Sequence, residues 1–277
     1  MSDLHTGENF RGNFRNLDRA ENPQALLGYL DSVAGLASVR AYKEESFGLL
    51  RLQPGESVLD MGCGPGEDAR ALAEVVGPNG RVVGMDASEA AIAEAVRRNA
   101  GSSAPVEFRL GDVHNLDFAS DEFDAARADR VLQHVHDPEH ALRELMRVTR
   151  RGGLVTVAEP DWDTLIVDST DREVTREIVR CGSDAIRNGW IGRKLRSLFL
   201  DVGFSDVDVH GIVIILTNFA LADRIFGLTD IAHGAVDARM ITADEAARWL
   251  DQLRRSDQLS RVFASVTGYL AVGRKPS

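Results

Sequence analysis

Short apolar runs alternate with stretches of helical spacing along most of the chain, and this alternation predicts the order of its elements. Residues 57–61, 81–85, 106–110, 123–128 and 154–159 are short, largely apolar runs, the pattern of strands buried in a parallel sheet. Between them, 67–76 returns to helical spacing with Ala71, Leu72 and Val75 available to pack on the sheet, Ser88 can cap a helix after the second run, and 138–149 is helical. Residues 26–50 read as one or two helices interrupted near Gly35. Beyond the fifth run, 172–187 and 192–202 are helical, while 207–216 and 262–273 give a sixth and a seventh strand. This order predicts an α/β fold, a seven-stranded, mostly parallel sheet with helices on both faces. About 45 residues separate the last two strands, where a hairpin would use two to five, so that interval must hold structure of its own. Within it Thr242 and Glu245 form a capping box, opening a helix with Ala246, Leu250 and Leu253 on one face. The expected organisation is an N-terminal helical lid (1–50), a ligand-binding core (51–160), and the rest of the same sheet (161–277) with a helical cap inserted around 217–260.

Residues 58–68, VLDMGCGPGED, carry the most chemistry. Asp60 closes the first strand, Gly62, Gly64 and Gly66 follow at alternate positions, and Glu67 and Asp68 open the helix. Glycines permit backbone angles and a close approach that side chains would block, so a ligand can lie against such a turn. A dinucleotide fingerprint needs G-x-G-x-x-G with its helix N-terminus facing a pyrophosphate, whereas here Glu67 occupies the last glycine position. Carboxylates are favoured at a helix start but repel a pyrophosphate. The turn therefore suits a cation. S-adenosylmethionine fits, since it has no phosphate but carries a sulfonium and an ammonium group, for which Asp60 is a direct or water-mediated partner.

Two further acids extend the pattern. Asp86 lies 26 positions beyond Asp60, where it can accept hydrogen bonds from a ribose diol. Asp112 lies another 26 positions on, where it could accept from an adenine amino group while the Val113 backbone pairs with a ring nitrogen. Any one of these acids could simply begin a helix or turn. Three at successive strand ends point to one bound nucleoside.

At these motifs the chain resembles the class I S-adenosylmethionine-dependent methyltransferases. VLDMGCGPG is similar to their first motif, VVGMDAS to their acidic strand-two motif and GDVHNLDF to the third, and residues 123–153 resemble the strand, helix and glycine turn that follow. The match is closest to the small-molecule group that includes ubiquinone and menaquinone biosynthesis methyltransferases and many natural-product enzymes of secondary metabolism. The resemblance implies a Rossmann-like sheet and cofactor contact by Asp60, Gly62, Gly64, Gly66, Asp86, Asp112 and Val113. Cys63, Ala87 and Arg130 complete the expected cofactor set, Cys63 as a small filler in the turn rather than a reactive thiol.

Composition narrows the field. The chain has 277 residues, 44% of them hydrophobic, enough for one large domain or a core plus a cap. Its net charge of −11 opposes binding to nucleic acid or anionic lipid. The first residues lack the apolar core of a signal peptide, and the longest apolar stretch, 212–216, is too short to span a bilayer, so no membrane insertion and a cytoplasmic setting are expected. Cys63 and Cys181 form neither a disulfide framework nor a zinc pattern, and His134 and His136 would not present two imidazoles together, so no metal is expected.

Methyl transfer is an in-line displacement, for which placement alone can supply effective molarities of about 10⁵ to 10⁸ M. In RVLQHVHD, after the fourth strand, His134 is the candidate general base. Phe14, Trp162 and Trp190 are candidates for acceptor contact, with Phe10, Tyr29, Phe219 and Phe226 as further aromatics for an apolar pocket. Arg15, Asn16 or Asn188 could orient a polar group, although a solvated surface role is their default. The expected partner is a medium-sized, partly aromatic or polyketide-like small molecule methylated at oxygen or carbon by a monomer or homodimer. A non-methylating homologue, acting as a partner protein or a cyclisation or rearrangement catalyst, stays open, because cofactor motifs persist when methyl transfer is lost. A nicotinamide oxidoreductase is opposed by Glu67.

Overall fold

The computed structural model describes residues 18, 23–102, 104 and 106–277. Among these, seven strands form one sheet: β1 (Ser57–Met61), β2 (Arg81–Asp86), β3 (Val106–Leu110), β4 (Phe123–Asp129), β5 (Thr149–Val167), β6 (Ser205–Leu216) and β7 (Ala264–Arg274). Their order is β3-β2-β1-β4-β5-β7-β6. The first five are parallel to one another, and β7 runs antiparallel to both β5 and β6. The chain winds outward from β1 to β3 and then crosses back to β4, so β1 and β4 flank the point where a crevice opens at the carboxyl ends of the strands.

Side chains alternate across this sheet. Leu59 and Met61 of β1 join a core that includes α5 (Pro138–Val148) and α7 (Ile191–Val202). Val58 packs with α3 (Glu67–Val76) and the end of α2 (Ala37–Leu50), and Asp60 therefore faces the same side. Helix α4 (Glu89–Asn99) is capped by Ser88, which accepts from Ala91 N–H. A third core joins β5–β7 to α6 (Arg172–Asp184) and to the inserted helices α8 (Phe219–Phe226), α9 (Leu228–Asp237) and α10 (Ala243–Gln258). The predicted capping box at Thr242 and Glu245 is present. The lead-in forms α1 (Pro23–Ala34) and α2, broken at Gly35 as its sequence suggests.

Two expectations need correction. Helix α3 buries Ala69, Leu72, Ala73 and Val76, while Val75 is 40% exposed. Both sets are stripes of one helix sharing Leu72, and the sheet selects the one facing Val58 and Val82. Strand β5 is also far longer than 154–159: past the end of β4 it continues as an arm paired only with β7, out to Val167 opposite Ala264. Pro160, which donates no ladder bond, is tolerated on this arm.

Candidate functional site

The glycine turn owes its shape to packing as much as to any ligand. Gly62, Gly64 and Gly66 all have positive φ, at 75°, 51° and 77°. A Cβ on Gly62 would lie 2.3 Å from Val131 Cγ2, across the β1–β4 junction, and one on Gly66 would lie 2.5 Å from Phe108 Cε1. A Cβ on Gly64 meets only Leu30 Cδ1, at 3.6 Å. Gly62 and Gly64 border a cavity of about 1120 Å³ at the carboxyl ends of the strands. Gly66 is not among the residues that border it, and its close approach is to Phe108 of β3, where it seats the start of α3.

Of the other expected cofactor residues, Asp60, Cys63, Asp86, Ala87, Asp112, Val113 and Arg130 all line this cavity. Asp86 accepts from Gly64 N–H at 2.9 Å and Ser88 N–H at 3.0 Å, one on each carboxylate oxygen, which leaves acceptor capacity for a diol. Burial pushes its carboxyl above the usual range, against the hydrogen bonds from Ser88, Gly64 and Ala87. Asp112 is held by His114, whose N–H and Nδ1 each lie 2.9 Å from Oδ1, and the His114 ring stacks on His136 with centroids 3.8 Å apart. Asp18 caps α4, accepting from Ser88 Oγ at 2.6 Å and from Glu89 and Ala90 N–H at 3.0 Å.

Beneath the turn lies a buried ion network. Asp60 of β1 is in register with Arg127 of β4, which sets the two side chains on one face. Arg127 Nη1 donates to Asp60 Oδ1 at 3.0 Å and to Asp68 Oδ2 at 2.8 Å. Lys43 donates to Asp68 Oδ1 at 2.7 Å, and Tyr42 donates its hydroxyl to Asp129 at 3.0 Å. Asp60 is 1% exposed and its Oδ2 has no hydrogen-bond partner. Burial raises its pKa to about 6 despite the opposing charge of Arg127. Burial acts on Asp68 in the same sense, but Arg127 and Lys43 outweigh it and hold that carboxyl below the usual range.

The segment after β4 borders the other half of the cavity. Arg130 takes a left-handed backbone conformation, φ 57°, and its N–H donates to Ala158 O at 2.8 Å. His134 lines the cavity four residues later. The segment is clamped by its neighbours: Glu159 accepts from Leu132 N–H, Trp162 Nε1 donates to Gln133 Oε1 at 2.7 Å, and Asn188 Nδ2 donates to the carbonyls of Leu132 and Val135 at 2.8 Å each. Asn188 is thus a brace rather than an acceptor-orienting or solvated group. Burial pushes the Glu159 carboxyl up to about 8, against the backbone hydrogen bonds it receives. Trp162, Tyr29 and Val33 combine with Ile214, Ile225 and Phe226 to make the far end of the cavity apolar.

Trp190 is not there. It is 48% exposed and stacks under the Arg193 guanidinium, 4.7 Å from its ring centre, because the turn that carries it faces outward while Trp162 faces in. Phe219 likewise lies outside, beside Arg254. Phe14, Phe10, Arg15 and Asn16 lie outside the described residues. Sequence reading missed Lys43, Asp68, Arg127 and Asp129 as a unit, and Glu159. The available signal was Arg127 itself, a charge among small residues in a central strand, where it must be paired. Among the described residues no group of three or more His, Cys, Asp or Glu is set to hold a metal ion.

The lining tests the cofactor assignment. Among described residues it has seven carboxylates (Asp18, Asp60, Glu67, Asp68, Asp86, Asp112, Asp129) against three permanent cations (Lys43, Arg130, Arg187). Such a surface, with an unpaired buried carboxylate oxygen at Asp60 and an open face at Gly64, fits an adenosyl cation and opposes a pyrophosphate.

Fold and site together define an α/β protein that binds a nucleoside at the switch point of a mostly parallel sheet. Comparison with known proteins makes the assignment specific. Residues 52–198 match a methyltransferase domain family, and the chain belongs to that family, the S-adenosylmethionine-dependent methyltransferases of class I. It is 43% identical over 249 residues to an uncharacterized 37.1 kDa protein in transposon TN4556 of Streptomyces fradiae, covering 90% of this chain and 71% of that one. It is 35% identical over 150 residues to the 2-phytyl-1,4-naphtoquinone methyltransferase of Synechococcus elongatus, covering 50% of this chain and 64% of that protein, so the match spans less than two thirds of the relative. Phosphoethanolamine N-methyltransferase 2 of Haemonchus contortus, solved with S-adenosyl-L-methionine, shares the fold with a TM-score of 0.59 at 18% identity, covering 98% of this chain and 60% of that one.

Proposed function

We propose that this chain transfers a methyl group from S-adenosylmethionine to an oxygen or carbon atom of a small, largely apolar acceptor, a secondary metabolite or quinone-like compound. One observation carries the reading: the same cavity is lined by the acids around the glycine turn, by Arg130 and His134, and by the apolar side chains of Trp162, Val33, Ile214, Ile225 and Phe226. S-adenosylmethionine would supply the electrophilic methyl group. Asp60 would face its cationic groups, Asp86 its ribose diol, Asp112 and the Val113 backbone its adenine, and Arg130 its carboxylate. Trp162 and the residues of α1 and α8 would hold the acceptor and exclude water. His134 would take a proton from an acceptor hydroxyl or acidic carbon as attack proceeds. The naphtoquinone named for the Synechococcus relative supports a flat apolar acceptor.

The α1 and α8 helices meet over the cavity, where the Tyr29 hydroxyl donates to Ile225 O at 3.3 Å and Arg224 donates to Gly28 O at 3.1 Å. Opening there would admit the acceptor. Calorimetry with S-adenosylmethionine, followed by a screen of naphthoquinones, phenols and polyketides for S-adenosylhomocysteine release, tests the reading. Micromolar cofactor binding with turnover on one of these classes is expected. No cofactor binding, or turnover only on RNA or protein, overturns it.

A further inference from the structure

A lysine is rarely buried without a partner that needs it. Lys43 of α2 is 8% exposed, lies outside the 52–198 segment that defines the family, and reaches into the ion network beneath the glycine turn. The strand register sets Asp60 against Arg127, and the first turn of α3 brings Asp68 to the same guanidinium nitrogen. Asp129 approaches Arg127 Nη2 at 3.6 Å. Three carboxylates therefore draw on one arginine. Lys43 changes the balance by binding the second oxygen of Asp68 at 2.7 Å and standing 4.0 Å from Asp129.

We propose that Lys43 is a positioning residue for the cofactor: by engaging Asp68 it leaves Arg127 available to Asp60, and so keeps the Asp60 carboxylate charged toward the cofactor's cationic groups. This rests on the cofactor role given to Asp60 above. The groups facing Asp60 are Arg127 and Asp129 from β4, Asp68 from α3, Lys43 from α2, and Cys63 from its own turn. Without the lysine the network keeps three acids, Arg127, and at its edge Arg130, whose Nε is 3.5 Å from Asp129. The surplus negative charge is relieved by proton uptake. Asp60 takes that proton most readily, because burial already holds it near 6 whereas Asp68 is held far lower.

Calorimetric titration of the full chain with S-adenosylmethionine between pH 5 and pH 9 tests the idea. Wild-type affinity should fall about tenfold per pH unit below 6, as Asp60 protonates. In Lys43→Met the same curve should move upward by about two pH units, giving roughly tenfold weaker binding at pH 7 that recovers by pH 9. Lys43→Arg should restore the wild-type curve. Lys43→Met/Asp68→Asn, which removes both partners and returns Arg127 to Asp60, should bind within about threefold of wild type at pH 7. A loss of affinity that is the same at every pH, or a double variant that binds no better than Lys43→Met, overturns the proposal and makes Lys43 merely structural. If Lys43→Met does not fold, Lys43→Arg and the double variant decide the matter by the same criteria. Absence of binding by the wild-type protein would instead overturn the cofactor reading itself.

Discussion

At the residue scale the site is a set of groups whose neighbours fix their state. His134 lies in a segment held by Glu159, Trp162 and Asn188, so replacing its imidazole should leave that backbone in place. His134→Ala should therefore lower turnover by about 10² to 10⁴ with an acceptor that loses a proton, while cofactor affinity measured by calorimetry stays unchanged. Unaltered turnover would remove it as the base. Glu159 has a different signature. Its folded pKa of about 8 is raised above its ordinary value near 4.5 by burial. The stability of the neutral form is fully present below the unfolded pKa and is lost as pH rises through 8, at up to about 1.4 kcal/mol per pH unit across that window. Glu159→Gln, which cannot ionise, should flatten the fall in melting temperature between pH 5 and pH 9, and parallel curves for the two proteins would refute the assignment. Asp60 was legible as a candidate cofactor acid because strand-end acids have a recognisable place. Lys43 was not, because its partner lies 25 residues away and only the docking of α2 onto α3 brings them together.

At the scale of elements, the strand–turn–helix unit separates the part of a motif that is open to the cavity from the parts packed into the fold. Gly64 opens onto the cavity, whereas Gly62 and Gly66 are constrained by Val131 and Phe108. Gly62→Ala combines a left-handed backbone with a 2.3 Å approach to Val131. It should destabilise the protein by at least about 2 kcal/mol in denaturant titration even when no cofactor is present. A purely ligand-facing glycine would give a loss of affinity with unchanged stability. Periodicity found the elements because each strand and helix is a local pattern. The phase of α3 and the length of β5 escaped it, since one depends on which of two adjoining stripes meets Val58 and the other on pairing with β7, about 100 residues later. Trp190 looked like Trp162 in sequence for the same reason: only the orientation of the turn separates an exposed indole from one bonded to Gln133.

For the whole molecule, the question is which part moves to admit an acceptor. The inserted helices α8–α10 share one core with α6 and the edge of the sheet, in which Trp249, Phe226, Ile231 and Leu250 pack with Trp162, Ile212 and Leu270. A segment built into a core in this way unfolds with the domain rather than separately. Helix α2 is tied down by Lys43 and Tyr42. Among its described side chains, α1 gives Val33 to this core and is tied further by the Tyr29 and Arg224 hydrogen bonds and an Arg98–Asp31 ion pair. On the function proposed above, opening at α1 would admit the acceptor to the apolar end of the cavity. Amide hydrogen exchange should accordingly be fastest in α1 and slow in α8–α10, with α1 alone gaining strong protection when S-adenosylmethionine and a bound acceptor are both present. Tyr29→Phe should speed α1 exchange further and weaken acceptor binding more than cofactor binding, because Tyr29 lies at the apolar end. Equal protection of α1 and α8–α10, or exchange in α8–α10 that responds while α1 does not, would transfer the lid to the insertion.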